Sequence, residues 1–328
     1  TLLPVIAILN LVASVLIRRT FGLGSGVYDT LIGIANTVLG YSSLGIPESL
    51  PKLLPDLAVA GPGAATALVR RAWLLRLALL AMPLLLLNSM TVRVATAFQL
   101  GEHGTFLLQA VTVLALGRAV MDLVNRTLQG GLAHRTANLL LGIQATAVLA
   151  LLFILLSSGG GIGTILFGMG VIALLTAGCG GHAVIHLVAA YERRLHGPQP
   201  TRRPDEFSPG LPRTRFFRFV IFLYLISISS YFARPGFASL GLNLVSDGVG
   251  AVALFNTGYQ IPQTMAVLLL SSFQGLYVPM FARLLATPDK LRTAYQEVSK
   301  VQAVLLLPAA AGLLVMLGDY IPLIYGHA

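Results

Sequence analysis

The chain of 328 residues is 56% hydrophobic and only 10% charged, with a net charge of +10 and a mean hydropathy of +0.82. Soluble domains carry roughly 25% charged residues, so this composition excludes an ordinary water-soluble enzyme or binding module. The single cysteine, Cys179, excludes an intramolecular disulfide and a multi-cysteine metal site. The basic residues lie in short stretches between apolar runs, not in an aromatic-interleaved basic domain, which argues against nucleic acid as a partner.

A hydrocarbon core about 30 Å thick takes about 20 helical residues to cross. Nine stretches are candidates: 2–17, 28–47, 72–92, 105–124, 137–157, 164–190, 217–241, 249–281 and 301–324. The fold class is therefore all-α, a polytopic transmembrane helical protein. A barrel is excluded because apolar residues run continuously instead of alternating. The eighth stretch is long enough to tilt or to extend past the membrane. Thr1 leads directly into apolar sequence and Ala328 follows another apolar run, so the chain reads as part of a longer protein whose C-terminal helices are missing.

If the N-terminus is cytoplasmic, sixteen of the Lys and Arg residues fall in cytoplasmic connections and only Arg18, Arg19 and Arg93 on the outside. That bias sets the expected orientation. Residues 192–215, ERRLHGPQPTRRPDEFSPGLPRTR, hold five prolines and no helical period. They read as a cytoplasmic linker between an N-terminal lobe of six spans (1–191) and a partial C-terminal lobe of three (216–328). Anionic lipid headgroups are the expected contact of its charges. SSLGIPESLPKLL (42–54) and SSFQGLYVPMFARLL (271–285) echo one another, as a six-plus-six repeat would produce.

No enzyme constellation is present: the chain has no HExxH, no phosphate loop and no nucleophile elbow. The glycines of GMGVIALLTAGCGGH (168–182) suit close helix packing. His182 and His186 share a helix face but have no third ligand nearby in sequence, and read as a polar pair rather than a metal site.

Charges inside spans carry more information, since an arginine at the bilayer centre costs roughly 2.5–3.5 kcal/mol. Arg118 and Asp122, four apart, can pair on one helix. Arg76 lies one turn inside its span and is expected to snorkel to the interface. Arg234 follows Arg218 by sixteen residues, about 24 Å along a helix, and so lies deep, with Pro235 freeing a carbonyl beside it. Arg18 and Arg19 end the first span at a similar depth. The three arginines either snorkel outward or converge on an anion site, where guanidinium suits phosphate by bidentate bonding.

The run VLIRRTFGLGSGVYDTLIGIANTVLGYSSLGIPESLPKLL resembles the start of prokaryotic polysaccharide-biosynthesis flippases: a helix ending in Arg, a turn filled by Gly22, Gly26, Val27 and Tyr28, then a helix reaching Leu44-Gly45. GAVALFNTGYQIPQ (250–263), VPMFARLLA (278–286) and LLLPAAAGLLVMLGDYIPLIYG (305–326) are similar to the family's second lobe in content and order. The resemblance implies the two-lobe fold of multidrug and toxin extrusion (MATE) transporters around a cavity open to alternate sides. It implies flipping of an undecaprenyl-pyrophosphate-linked oligosaccharide across a bacterial or archaeal cytoplasmic membrane. It implies no cofactor, a proton or sodium gradient as drive, and membrane lipids, a polysaccharide polymerase and chain-length machinery as partners. Where many relatives have Asp-Arg on the seventh helix, this chain has Ala233-Arg234, which puts acid-linked coupling there in doubt.

On this reading Arg18, Arg19 and Arg234 form a basic surface for pyrophosphate, with Arg118 and Asp122 as a further charged pair. Asn36, Tyr41, Gln144, Asn256 and Gln260 are candidate sugar contacts. Three rivals stay open. A cation-coupled multidrug exporter of the same fold needs a buried carboxylate facing the cavity, whereas the acids here (Asp29, Glu48, Asp122) lie mainly at span ends. An integral-membrane glycan ligase or polymerase needs a large outer loop with catalytic residues, and these loops are short. A packed, non-transporting scaffold would have a closed interior.

Overall fold

The computed structural model describes residues 2–60, 63–131, 133–196, 213–232, 235–245, 248–284, 288–316, and 319, 323 and 325. Among these the chain is all-helical: α1 (Leu3–Phe21), α2 (Ser25–Ser43), α3 (Ile46–Ala60), α4 (Ala64–Ser89), α5 (Thr91–Ala97), α6 (Gly104–Gly130), α7 (His134–Ser157), α8 (Ile162–His196), α9 (Arg213–Phe232), α10 (Pro235–Val245), α11 (Val249–Leu284) and α12 (Pro288–Val315). Five described stretches are long and apolar enough to cross a membrane: Leu3–Ser43, Ala64–Ser89, Gly104–Gly130, His134–Ser157 and Ile162–Ala190. Leu85, Ile154, Leu175 and Ile185 on these helices are each more than three-fifths exposed. Water would penalise such surfaces heavily, and lipid would not.

The expected spans differ from the helices in instructive ways. Residues 46–60, expected to be the end of the second span (to 47) and the start of a connection, form α3 despite Pro51 and Pro55 inside it. Pro51 and Pro55 each lack an N–H that would otherwise reach the carbonyl four residues back, and they lie four apart on one helix face; Pro47, in the first turn, loses no such bond. Another face carries Ile46, Leu50, Leu53 and Leu54, all buried, against α6. The seventh expected span is two described helices, α9 and α10. The ninth begins earlier than expected, because the polar run from Pro288 is already helical. The echo between 42–54 and 271–285 is not kept in the backbone. α2 stops at Ser43, where Leu44 and Gly45 take positive φ of 45° and 70°, while α11 continues to Leu284. The linker core, 197–212, lies outside the described residues.

α6 is the central helix, buried along most of its length. Its crossing with α8 is built on glycine: a Cβ at Gly117 would stand 2.5 Å from the Gly170 carbonyl oxygen, and one at Gly170 would stand 2.7 Å from the Leu114 nitrogen. Missing side chains let the two backbones approach, the usual means of association where lipid supplies no hydrophobic drive. Gly26 of α2 is tighter still, with a Cβ position 1.8 Å from the Val249 carbonyl oxygen of α11. Gly26→Ala is therefore expected to force α2 and α11 apart and lower the unfolding temperature in detergent. Gly142→Ala, on α7 with nothing within 4 Å of its Cβ position, should leave that temperature unchanged or raise it, since alanine is worth up to about 1 kcal/mol of helix propensity over glycine.

Candidate functional site

α2 is the helix that assembles the site. Its positions 26, 30, 33, 37 and 40 recur every three or four residues and so lie on one face. Along that face Gly26 meets Val249, Thr30 meets Asn243, Gly33 meets Gly236 and Leu240, Thr37 and Gly40 meet Tyr231, and Tyr41 meets Tyr224. The partner numbers fall as the α2 numbers rise, so α2 runs antiparallel to α9–α10 along its length. Thr37 and Tyr231 share a hydroxyl hydrogen bond. The Tyr41 ring, about half exposed, lies 5.9 Å from that of Tyr231, which also packs edge-on against Phe237 at 5.7 Å.

At one end of this seam Arg18 is a hub. Its Nη1 and Nη2 donate to the two carboxylate oxygens of Asp29 at 3.0 and 3.2 Å. Eleven residues of unbroken helix would separate the pair by about 16 Å. Gly22, with φ 54° and ψ −131°, breaks the helix and brings the last turn of α1 beside Asp29 in the N-terminal part of α2. The same guanidinium reaches α11: Nε donates to Gln260 Oε1 at 3.2 Å, and Nη1 to Thr257 Oγ1 and the Ala253 carbonyl oxygen at 3.1 and 3.3 Å. Ser14 also donates to Gln260 Oε1. The Arg18 and Asp29 side chains are 7% and 11% exposed. Asp29 thus neutralises the arginine and lets it sit against uncharged acceptors in a dry interface.

Arg118 is the second centre. It lies midway along α6, half-buried, and donates from Nη1 to Asn36 Oδ1 at 3.2 Å. Asn36 in turn stands against Gly236 of α10. The expected pair with Asp122 is not formed: Asp122 turns to Arg126, 3.5 Å away and one turn further on. Among the described residues no carboxylate is in salt-bridge contact with Arg118. Tyr28 lies within electrostatic reach of both Arg118 and the Arg18–Asp29 pair.

The other predicted residues disperse. Arg19 is exposed and donates to the Leu323 carbonyl oxygen at 3.1 Å, so it turns away from its neighbour Arg18. Asn256 donates to Ser239 Oγ and to the Val252 carbonyl oxygen at 2.8 and 3.1 Å. Gln144, on α7, joins neither centre. Arg234 lies outside the described residues. Arg76 does not snorkel: only 2% exposed, it donates to Ser42 Oγ and to the Leu39 carbonyl oxygen at 2.7 and 3.0 Å, holding the C-terminal turn of α2. His182 and His186 form an edge-on ring pair 4.4 Å apart, and no group of three metal-binding side chains occurs among the described residues.

The sequence reading missed the bond between Arg18 and Asp29, the place of Thr257 beside them, and the roles of Thr30, Asn243 and Tyr231. The legible signal was the mixed polar and glycine face of α2 at helical spacing, unusual in an apolar span.

A family model described as polysaccharide biosynthesis protein matches residues 141–328, more than half of the chain. That span includes the α9–α11 side of the seam. No curated protein and no solved structure matches the chain.

Proposed function

The chain belongs to the polysaccharide biosynthesis protein family, and from that premise we propose that it is a membrane flippase for a lipid-linked oligosaccharide. The carrier is undecaprenyl pyrophosphate, and the direction is from the cytoplasmic to the outer leaflet of a bacterial or archaeal membrane. Two helical lobes of MATE-like arrangement rock about the α2 seam, and Arg118 engages the pyrophosphate.

The observation that carries this reading is Arg118 itself. A cation midway along the central helix of an apolar bundle costs free energy, and a neutral carboxamide repays little of it. An anionic substrate supplies the missing charge, by bidentate bonding to guanidinium. The state of Asp29 removes one carboxylate from the multidrug alternative, while Glu48 keeps a buried Oε2 without a hydrogen-bond partner. A cationic drug needs a carboxylate free to receive it, and both oxygens of Asp29 are held by Arg18. A proton or sodium gradient drives the cycle, and the flipped product passes to a polymerase and its chain-length machinery. The test is reconstitution of the full-length protein in liposomes containing a labelled lipid-linked oligosaccharide, with its movement between leaflets as the readout.

A further inference from the structure

Asn243 of α10 is 2% exposed and lies in the seam against α2. Its Nδ2 donates to Thr30 Oγ1 at 3.0 Å, while its Oδ1 is buried with no hydrogen-bond partner. Turning the amide over only exchanges the two ends: Thr30 satisfies one, and the other stays unsatisfied. Such an atom is costly in a dry interface and is rare in native proteins. Thr30, Ser239 and Asn243 are all nearly fully buried, and Ser239 is bonded to Asn256. Two carboxamides and two hydroxyls therefore share one stretch of the α2–α10–α11 seam. None carries a charge.

From this geometry we infer that Asn243, with Thr30, Ser239 and Asn256, forms a subsite for the hydroxyl groups of the glycan, covered in the present arrangement and uncovered when the seam opens. The ligand class follows from the chemistry. A carboxamide offers a donor and an acceptor side by side, which matches vicinal hydroxyls. Pyrophosphate would call for positive charge, and a polyprenyl chain would leave every polar group unsatisfied. The covering is equally specific: Gly33 and Gly236 bring α2 and α10 so close that a Cβ at Gly33 would stand 3.1 Å from the Gly236 carbonyl oxygen, leaving no room for a sugar. The unsatisfied amide end makes the closed seam less stable than its contact area implies, and a sugar hydroxyl satisfies it on opening. This inference rests on the proposed lipid-linked substrate and adds to it the residues that read the sugar.

The test compares two probes bound to the full-length protein in nanodiscs: undecaprenyl pyrophosphate, and the same lipid carrying an N-acetylhexosamine disaccharide. The wild type is expected to bind the glycosylated lipid about tenfold more tightly, the worth of one or two net hydrogen bonds. Asn243→Leu should erase that preference, bringing affinity for the glycosylated lipid down to that for the bare one. Its unfolding temperature should stay level or rise, because an apolar side chain removes the unsatisfied group and Thr30 can turn to the carbonyl four residues back. Asn243→Ala serves if the seam rejects leucine. A preserved preference in a folded variant overturns the inference while leaving the flippase reading intact. A fall in unfolding temperature with the preference retained assigns Asn243 a structural role only and overturns it as well. Failure of the wild type to bind either lipid overturns the parent reading, and this one with it.

Discussion

Replacing Arg18 by methionine is expected to lower the stability of the detergent-solubilised protein by about 3–5 kcal/mol, the usual consequence of removing one member of a buried ion pair. The substitution leaves the Asp29 carboxylate, 11% exposed, without its counter-ion. Asp29→Leu should cost a similar amount by stranding the guanidinium. The double variant Arg18→Met/Asp29→Leu is then expected to recover most of the loss. The acceptors on α11 need not remain stranded: Thr257 already donates to the Ala253 carbonyl oxygen at 2.7 Å, and Ser14 already donates to Gln260. Denaturant or thermal unfolding of the four proteins in a double-mutant cycle measures the coupling. Additive losses would show that the pair does not act as a unit.

Arg118 is expected to behave in the opposite way. Its one hydrogen bond to a described side chain is to neutral Asn36, so Arg118→Gln removes a desolvated charge and should change stability little. Binding of undecaprenyl pyrophosphate should instead weaken by about 10- to 100-fold, the worth of one charge-assisted hydrogen bond at about 1.5–3 kcal/mol. Arg118→Lys keeps the charge but loses the planar fork, and is expected to fall between the two. Equal affinity in the wild type and Arg118→Gln would remove Arg118 from the substrate path. A large loss of stability with affinity retained would make it a structural cation.

The all-helical membrane character was fully legible in composition and run length, because apolar stretches of this length have few other uses. Close packing through the glycines of α8 was legible in the run at 168–182, whereas its partner, Gly117 of α6, was not. α3 was not, because its prolines signal a break unless their alignment on one face is weighed against the buried leucines of another. The site was legible in type more than in pairing. Arg18, Arg118, Asn36, Asn256 and Gln260 were all singled out, and the structure joins Arg18 to Gln260 and Arg118 to Asn36. Which arginine meets which acid was beyond sequence reach. Asp122 lies four residues from both Arg118 and Arg126, and only tertiary packing chooses Arg126. Asp29 lies eleven residues from Arg18, and only the backbone turn at Gly22 brings them together. Asn243 gave no signal at all, since a lone asparagine in an apolar run shows neither its partner nor the end left without one.

The most direct measurement is transbilayer movement of a labelled undecaprenyl-pyrophosphate oligosaccharide in liposomes containing the full-length protein, read as the fraction accessible to a membrane-impermeant modifying enzyme over time. The wild type should move the lipid well above the rate of empty liposomes, and Arg118→Gln should return it close to that background. Movement no faster than in empty liposomes, by wild-type protein shown to be folded, would contradict the assignment as a flippase of this substrate.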